Sequence, residues 1–230
     1  QVEDAVIHSD ADAELIEVEQ FLASVSSDQK SLTIGHASLV TPHYGFDLHG
    51  QLQLTGENPV TAEGSWWGDF QQFNKIMGEV RVDGTLAQTD VALSVITPAE
   101  IEITGRIENL LSEATWDLVG SAEAIELKTI SSAWPAAVVD LDLTTSGSPA
   151  AYRGSLQGTY SAADQPPVLL DIDISGDQSR AELVSALVSY NGSMAKVNGR
   201  VDFMETVAWE ASASVNELDL SSLSENVGLK

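Results

Sequence analysis

The sequence predicts an all-β protein, an elongated and curved antiparallel sheet whose concave face is apolar. Three observations predict it. Apolar and polar residues alternate strictly in run after run, glycine recurs at inward positions of those runs, and nothing alternates strand with long helix.

The alternation is cleanest in Ile101-Glu102-Ile103-Thr104-Gly105-Arg106-Ile107-Glu108, where every odd position is apolar or glycine and every even position is polar. Period two means a half-buried strand, one face dry and one wet. The same pattern runs through Phe46–Leu54, Val80–Leu86, Asp140–Leu143 and Leu170–Ile174. Counted with the turn signals between them, such runs amount to roughly a dozen strands or more. Turns are expected at Gly56-Glu57-Asn58-Pro59, Ser146-Gly147-Ser148-Pro149, Asp164-Gln165-Pro166-Pro167 and Asn191-Gly192. Leu15, Val18, Leu22 and Val25 also fall on one helical face, as do Leu183, Val184, Leu187 and Val188. Both stretches are rich enough in β-branched residues to be read as strands.

Glycine takes the inward place in the frame apolar-x-Gly-x-apolar. The copies are Leu48/Gly50/Leu52, Val82/Gly84/Leu86, Ile103/Gly105/Ile107 and Val197/Gly199/Val201, and Tyr152/Gly154/Leu156/Gly158/Tyr160 carries it twice. A strand glycine marks a bend or a close approach, and on the dry face it removes a side chain where curvature would crowd one. Curvature alone fits a closed barrel or an open trough.

A longer repeat lies over this pattern. Gly105-Arg106-Ile107-Glu108 leads to Trp116-Asp117 and then Ile125-Glu126-Leu127, and Gly199-Arg200-Val201-Asp202 leads to Trp209-Glu210 and then Leu218-Asp219-Leu220. Tryptophan and the next apolar anchor stand nine apart in both copies, an odd spacing that changes the parity of the dry face. A bulge between Glu123 and Ile125, and another near Asn216 and Glu217, would restore it. Repetition of this kind points to an elongated, accreting architecture.

Composition narrows the function classes. The 230 residues hold 35 Asp and Glu against 10 Lys and Arg, a formal charge of −25. Such a chain cannot neutralise a row of phosphates, so nucleic acid is not an expected partner, and no basic patch recruits it to an anionic membrane. With no cysteine, disulfides, zinc–thiolate sites and thiol nucleophiles are out. At 43% hydrophobic residues the chain is too apolar for charge-driven disorder. No run approaches ~18 apolar residues and no signal-like segment opens the chain, which fits a piece of a longer, anchored protein.

Candidate chemical sites are weak. Asp171, Asp173, Ser175 and Glu182, with Gly176 at the turn, match a calcium-loop spacing. The entering segment Gln165–Leu170 does not read as a capped helix, and Ile172 and Ile174 read as inward strand residues. Of His8, His36, His43 and His49 none forms a spaced metal pair, and His49 falls on a wet strand face. No G-x-S-x-G elbow exists. Carboxylates this abundant give paired-carboxylate chemistry no specific support. Trp66-Trp67 fits a sugar platform or, more simply, a strand pair of opposite parity with one indole inside. No metal or cofactor is expected.

The run Trp209-Glu210-Ala211-Ser212-Ala213-Ser214-Val215-Asn216-Glu217-Leu218-Asp219-Leu220-Ser221-Ser222-Leu223, followed by Val227-Gly228-Leu229, resembles the TamB branch of the AsmA-like bacterial envelope proteins. Trp116-Asp117-Leu118 through Ile125-Glu126-Leu127 to Trp134-Pro135 resembles it as well, as does Gly154–Tyr160 running into Pro166-Pro167-Val168. The similarity is clearer over 80–230 than over 1–79. It implies a periplasmic protein, anchored to the inner membrane, built on a long β-taco. It also implies phospholipid as cargo between inner and outer membranes, and an outer-membrane barrel assembly protein as partner. The family's N-terminal anchor and C-terminal barrel-partner region are lacking, so residues 1–230 are expected to be one repeat-like internal segment.

Physics agrees with the resemblance. A sheet with one apolar face and no helices must cover that face with itself or with a ligand. The expected lining of a lipid groove is Leu52, Leu54, Val82, Leu86, Ile101, Ile103, Ile107, Leu141, Leu143, Ile172, Ile174 and Val201, which share parity within their strands. The competing reading is a secreted acidic β-sandwich or barrel that binds sugar or protein, favoured by a closed dry core. An enzyme would need convergent polar groups in a pocket.

Overall fold

Strict alternation and short polar turns give a pure meander. The computed structural model describes residues 2–7, 16–69, 75–203 and 207–216. Its strands are β1 (Val2–Ile7), β2 (Ile16–Ser27), β3 (Ser31–Val40), β4 (Tyr44–Gln53), β5 (Pro59–Gly68), β6 (Ile76–Thr85), β7 (Gln88–Thr97) and β8 (Ile101–Glu108). There follow β9 (Thr115–Glu126), β10 (Ala137–Ser148), β11 (Ala151–Ala162), β12 (Val168–Gly176), β13 (Arg180–Tyr190), β14 (Ser193–Asp202) and β15 (Ala208–Asn216). The one described helix is a single turn, α1 (Leu127–Ile130), between β9 and β10. All fifteen strands form one sheet in chain order, each antiparallel to its neighbours, and the sheet does not close into a barrel. At about 4.8 Å per strand it runs about 70 Å across the strands, roughly twice the length of a ten-residue strand. The segments read as ambiguous between helix and strand lie in β2 and β13, except for Leu15, which falls outside the described residues.

Curvature is measurable at the glycines. Opposed Cβ atoms of a flat antiparallel pair stand about 4.5–5.5 Å apart. A Cβ on Gly50 would stand 3.0 Å from the Ala62 Cβ, and one on Gly199 3.2 Å from the Ala211 Cβ. Both positions belong to the apolar face, so neighbouring strands tip toward each other on that side and the apolar face is concave. Gly84, Gly105 and Gly154 share that face, opposite Val60, Val91 and Thr145 respectively.

Bulges hold the parity of the faces. In β9 Ala122 pairs with Leu141 but Ile125 with Val139, and Ala124 takes a left-handed φ of 53°. This is the bulge expected between Glu123 and Ile125; its freed amide donates to Asp140 Oδ1 at 2.7 Å. The second expected bulge, at Asn216 and Glu217, reaches beyond the described residues. Further shifts sit between Ile34 and Ala37 in β3 and between Leu183 and Ala186 in β13.

The turns follow their local chemistry. Asn191 and Gly192 have φ of 46° and 83°, the two left-handed residues of a tight hairpin. Residues 54–58 and 163–167 link strands as expected. The turn expected at Ser146–Pro149 lies further on. β10 continues to Ser148, which pairs with Ala151, so Pro149 and Ala150 make the turn. Gly147 is a strand glycine, seated between Trp116 and Tyr152 on the neighbouring strands.

Candidate functional site: the concave apolar face

Register carries the apolar positions across the sheet in rows. One row reads Leu48, Gly64, Val80, Leu93, Ile103, Gly120, Leu143, Leu156, Ile172, Ala186, Val197 and Ala213 from β4 to β15. The next row, two residues along each strand and three at the β13 bulge, passes through Gly50, Val82, Gly105, Leu118, Ile174 and Leu183. Large aliphatic residues and glycines share each row, which lets a bulky side chain lean over the neighbouring strand. A Cβ on Gly105 would stand 2.7 Å from the Leu118 Cα, and one on Gly78 2.7 Å from the Trp66 ring.

The face is contiguous but not sealed. Among the described residues the buried apolar side chains are Val18, Ala122, Ile125, Ala137 and Ala186, most of them small. Ile101, Ile103, Ile107, Leu141, Leu143 and Ile172 are half-buried, and Ile174 is 40% exposed. A closed sandwich core would bury these residues far more deeply.

By register, ten of the twelve residues expected to line a groove fall on one face of the sheet. Ile101, Ile103 and Ile107 come from β8, Leu141 and Leu143 from β10, Ile172 and Ile174 from β12, Leu52 from β4, Val82 from β6 and Val201 from β14. Leu54 and Leu86 lie just past the ends of β4 and β6, and Leu54 is 47% exposed. Sequence reasoning missed the intervening strands. Val91, Leu93 and Val95 of β7 and Val60 and Ala62 of β5 belong to the same face, opposite Val82, Val80, Gly78, Gly84 and Val82 of β6. Their signal was the alternation itself, muted in β5 by glycine and serine.

Polar atoms on the concave side are mostly satisfied internally. Thr89 Oγ1 donates to Thr85 O at 2.6 Å, and Thr145 Oγ1 donates to Arg153 O and accepts from Trp116 Nε1, both at 3.2 Å. Trp66 Nε1 is buried without a hydrogen-bond partner among the described residues. Its neighbour Trp67 has the opposite parity and packs over Gly45 on the convex face, with Lys75 Nζ 4.2 Å from its ring centroid.

The convex face is charged and internally paired. Arg81 meets Glu63 at 3.0 Å, Arg106 meets Asp90 at 2.9 Å, Arg180 meets Asp202 at 2.6 Å and Arg200 meets Glu210 at 3.4 Å. Hydrogen bonds to Asp90 and Asp202 raise Arg106 and Arg180 further above their ordinary values. His36 pairs with Asp47, and His49 lies 3.7 Å from Glu63. His43 sits in the β3–β4 turn, and His8 falls outside the described residues. Asp171, Asp173 and Ser175 alternate on β12, with Glu182 opposite Ser175 on β13, so the calcium-like spacing falls on a hairpin rather than on a loop between helices. Among the described residues no group of three His, Asp or Glu is placed to hold a metal ion. Asp177 serves the β12–β13 turn, accepting from Ser179 N at 2.7 Å, Ser179 Oγ at 2.6 Å and Arg180 N at 3.1 Å. Those bonds, the Ser179 hydroxyl first, hold its carboxyl below the usual range. Asp28 does the same for Lys30 and Ser31 in the β2–β3 turn, with the same downward shift.

Fold and face together define a class: open β-meander troughs with an aliphatic concave side and a charged convex side. The TamB N-terminal domain family matches residues 1–229, and the chain belongs to that family. It is a non-enzymatic family of envelope proteins. No curated protein and no solved structure matches the chain. No described helix is long and apolar enough to cross a membrane.

Proposed function

We propose that this chain shields phospholipid acyl chains in its concave face, as a stretch of a periplasmic conduit or assembly scaffold between inner and outer membranes. The observation that carries the reading is the contiguous, half-exposed aliphatic face running from β4 to β15. Each methylene that leaves water for such a surface gains roughly 0.8 kcal/mol, so an acyl chain laid along the rows is held without polar chemistry. Membrane anchoring and an outer-membrane barrel assembly partner belong to the same proposal and rest on family membership. The binding-module alternative needs a sealed core, and the exposure of Ile174 and its neighbours counts against it.

The test is site-specific crosslinking with a photoreactive residue at position 103 or 102. Lipid captured from 103 and not from 102 supports the proposal. Capture from 102 alone reverses the faces, and capture from neither, with Ile103→Asp unfolding the chain, makes the concave side an ordinary core.

A further inference from the structure

Two indoles on the concave side differ in one respect. Trp116 Nε1 donates to Thr145 Oγ1 at 3.2 Å. Trp66 Nε1 is buried and has no acceptor among the described residues. A buried donor left unpaired costs free energy that folded chains nearly always avoid, so an orphan on the wall of a binding face calls for an acceptor from outside the chain. The ring itself is held in place. Register sets Trp66 between Phe46 of β4 and Gly78 of β6, and a Cβ on Gly78 would stand 2.7 Å from the ring, so glycine leaves the indole its seat. Trp66 as a whole is half-buried. Phe46 beside it is 39% exposed, and Phe21, in the same row on β2, is 41% exposed, so these rings are open to the groove.

The surroundings set the chemistry of the acceptor. No Lys or Arg of the described strands stands on the concave side. A phosphate or carboxylate oxygen would arrive there without a counter-charge, whereas a neutral carbonyl pairs with a neutral N–H. Position agrees. Trp66 lies one step rimward of the floor residue Gly64 and one step in from Gly68 at the end of β5. An amphiphile with its tail on the floor and its polar end past the rim carries its ester linkages at that level.

We propose that Trp66 is a binding site for the ester carbonyl of an acyl lipid, which shifts the neighbouring aromatic rings and accepts the Nε1 hydrogen. The inference rests on the lipid-shielding reading and deepens it from a greasy surface to a fixed station on that surface.

The experiment incubates the purified chain with vesicles holding equal amounts of two phosphatidylcholines of the same chain length, one ester-linked and one ether-linked. The protein is re-isolated and its bound lipid quantified by mass spectrometry. The ether lipid lacks only the carbonyls, so the bound ratio is expected to favour the ester lipid by about five-fold, the effect of one net hydrogen bond. Trp66→Phe removes the N–H and should return the ratio to that of the vesicles. Replacement of Trp66 by benzothienylalanine, which keeps the shape of the indole with sulfur in place of the N–H, should do the same without disturbing the packing on Gly78. Bound lipid at the vesicle ratio in the parent overturns the carbonyl site and leaves the conduit standing. Ester enrichment that survives both replacements places the selection elsewhere and overturns the role of Trp66. Failure to recover any lipid overturns the conduit and this inference with it.

Discussion

The two faces of the sheet solve the same crowding problem with different chemistry. On the concave face, a row such as Leu48, Gly64, Val80, Leu93, Ile103, Gly120 and Leu143 sets glycine among bulky residues, so size is spread out where strands tip together. On the convex face, the row Asp47, Ser65, Glu79, Ser94, Glu102, Ser121 and Asp142 sets serine between acids, so like charges do not stand directly opposite within it; where Asp83 does face Asp90, Arg106 sits on Asp90. Opposed like charges destabilise a strand pair, and a chain this acidic meets that hazard on every strand. Steric spacing on one side and electrostatic spacing on the other let one sheet be both curved and highly charged. The concave rule protects close contacts and should be costly to break. The convex rule protects weak, screened contacts and should be cheap to break.

Gly105→Val is the sharpest break of the concave rule. Gly105 has φ +156° and an added Cβ would stand 2.7 Å from the Leu118 Cα, a backbone atom that cannot rotate away. The loss should be about 3 kcal/mol, the upper end for overpacking, read as a lower urea midpoint. An unchanged midpoint would show that glycine is not there to relieve crowding. Ile103→Asp comes next. Its carboxylate would sit among Leu93, Gly120 and Leu143 without a partner, but the site is half-open, so about 2 kcal/mol is expected rather than the full cost of burial. The chain should keep its β signature in circular dichroism while lipid crosslinking along this row fails.

Acid should separate turn chemistry from both faces. Asp28 and Asp177 have lowered carboxyl values in the folded chain because each accepts hydrogen bonds across its turn. Their stabilisation is present above the unfolded carboxylate value and is lost as pH falls through the lower folded one. Asp177→Asn should therefore flatten the thermal-unfolding profile below about pH 4 relative to the parent, since the amide has no such titration. Matching profiles for the two proteins would mean the turn bonds do not favour the ionised form.

Much of this was legible in the sequence because the information is local. Alternation marks a strand within five residues, and the odd step from Trp116 to Ile125 announced the bulge at Ala124 before any partner strand was known. Where a bulge changes the step inside a strand, the same logic misleads. The helical look of the β13 segment came from Leu183, Val184, Leu187 and Val188, yet Leu187 pairs with Asp171 on the convex side, and the bulge between Leu183 and Ala186 turns Leu183 to the same concave face as Val188. Strand β7 was overlooked although it alternates, because its outward residues include Ala92 and only mildly polar Ser94. Gly147 read as a turn glycine because its neighbours are serine and proline; only the pairing with Trp116 and Tyr152 explains it. Open trough and closed barrel were not separable, since closure depends on whether the terminal strands meet, a property of accumulated curvature rather than of any segment.

The serine spacing on the convex face was equally invisible, because it exists only once register brings Glu79, Ser94, Glu102, Ser121 and Asp142 into line, and it yields the smallest expected effects. Glu102 stands two strands, about 10 Å, from Glu79 and from Asp142. Each of those repulsions amounts to about 0.4 kcal/mol in water before screening. Glu102→Lys turns both into attractions, so the variant should be more stable at low salt by at most about 1.6 kcal/mol before screening, and the gain should fade near 0.5 M salt, where the Debye length is about 4 Å. Lipid crosslinking from position 103 should be unchanged, because a convex substitution leaves the concave row untouched. Ser121→Glu supplies the opposite sign. It places an acid about 4.8 Å from both Glu102 and Asp142 and should lower the low-salt urea midpoint, with the loss again fading in salt. If Ser121→Glu proves neutral at low salt, serine is there for its size alone, and the two faces follow one steric rule instead of two.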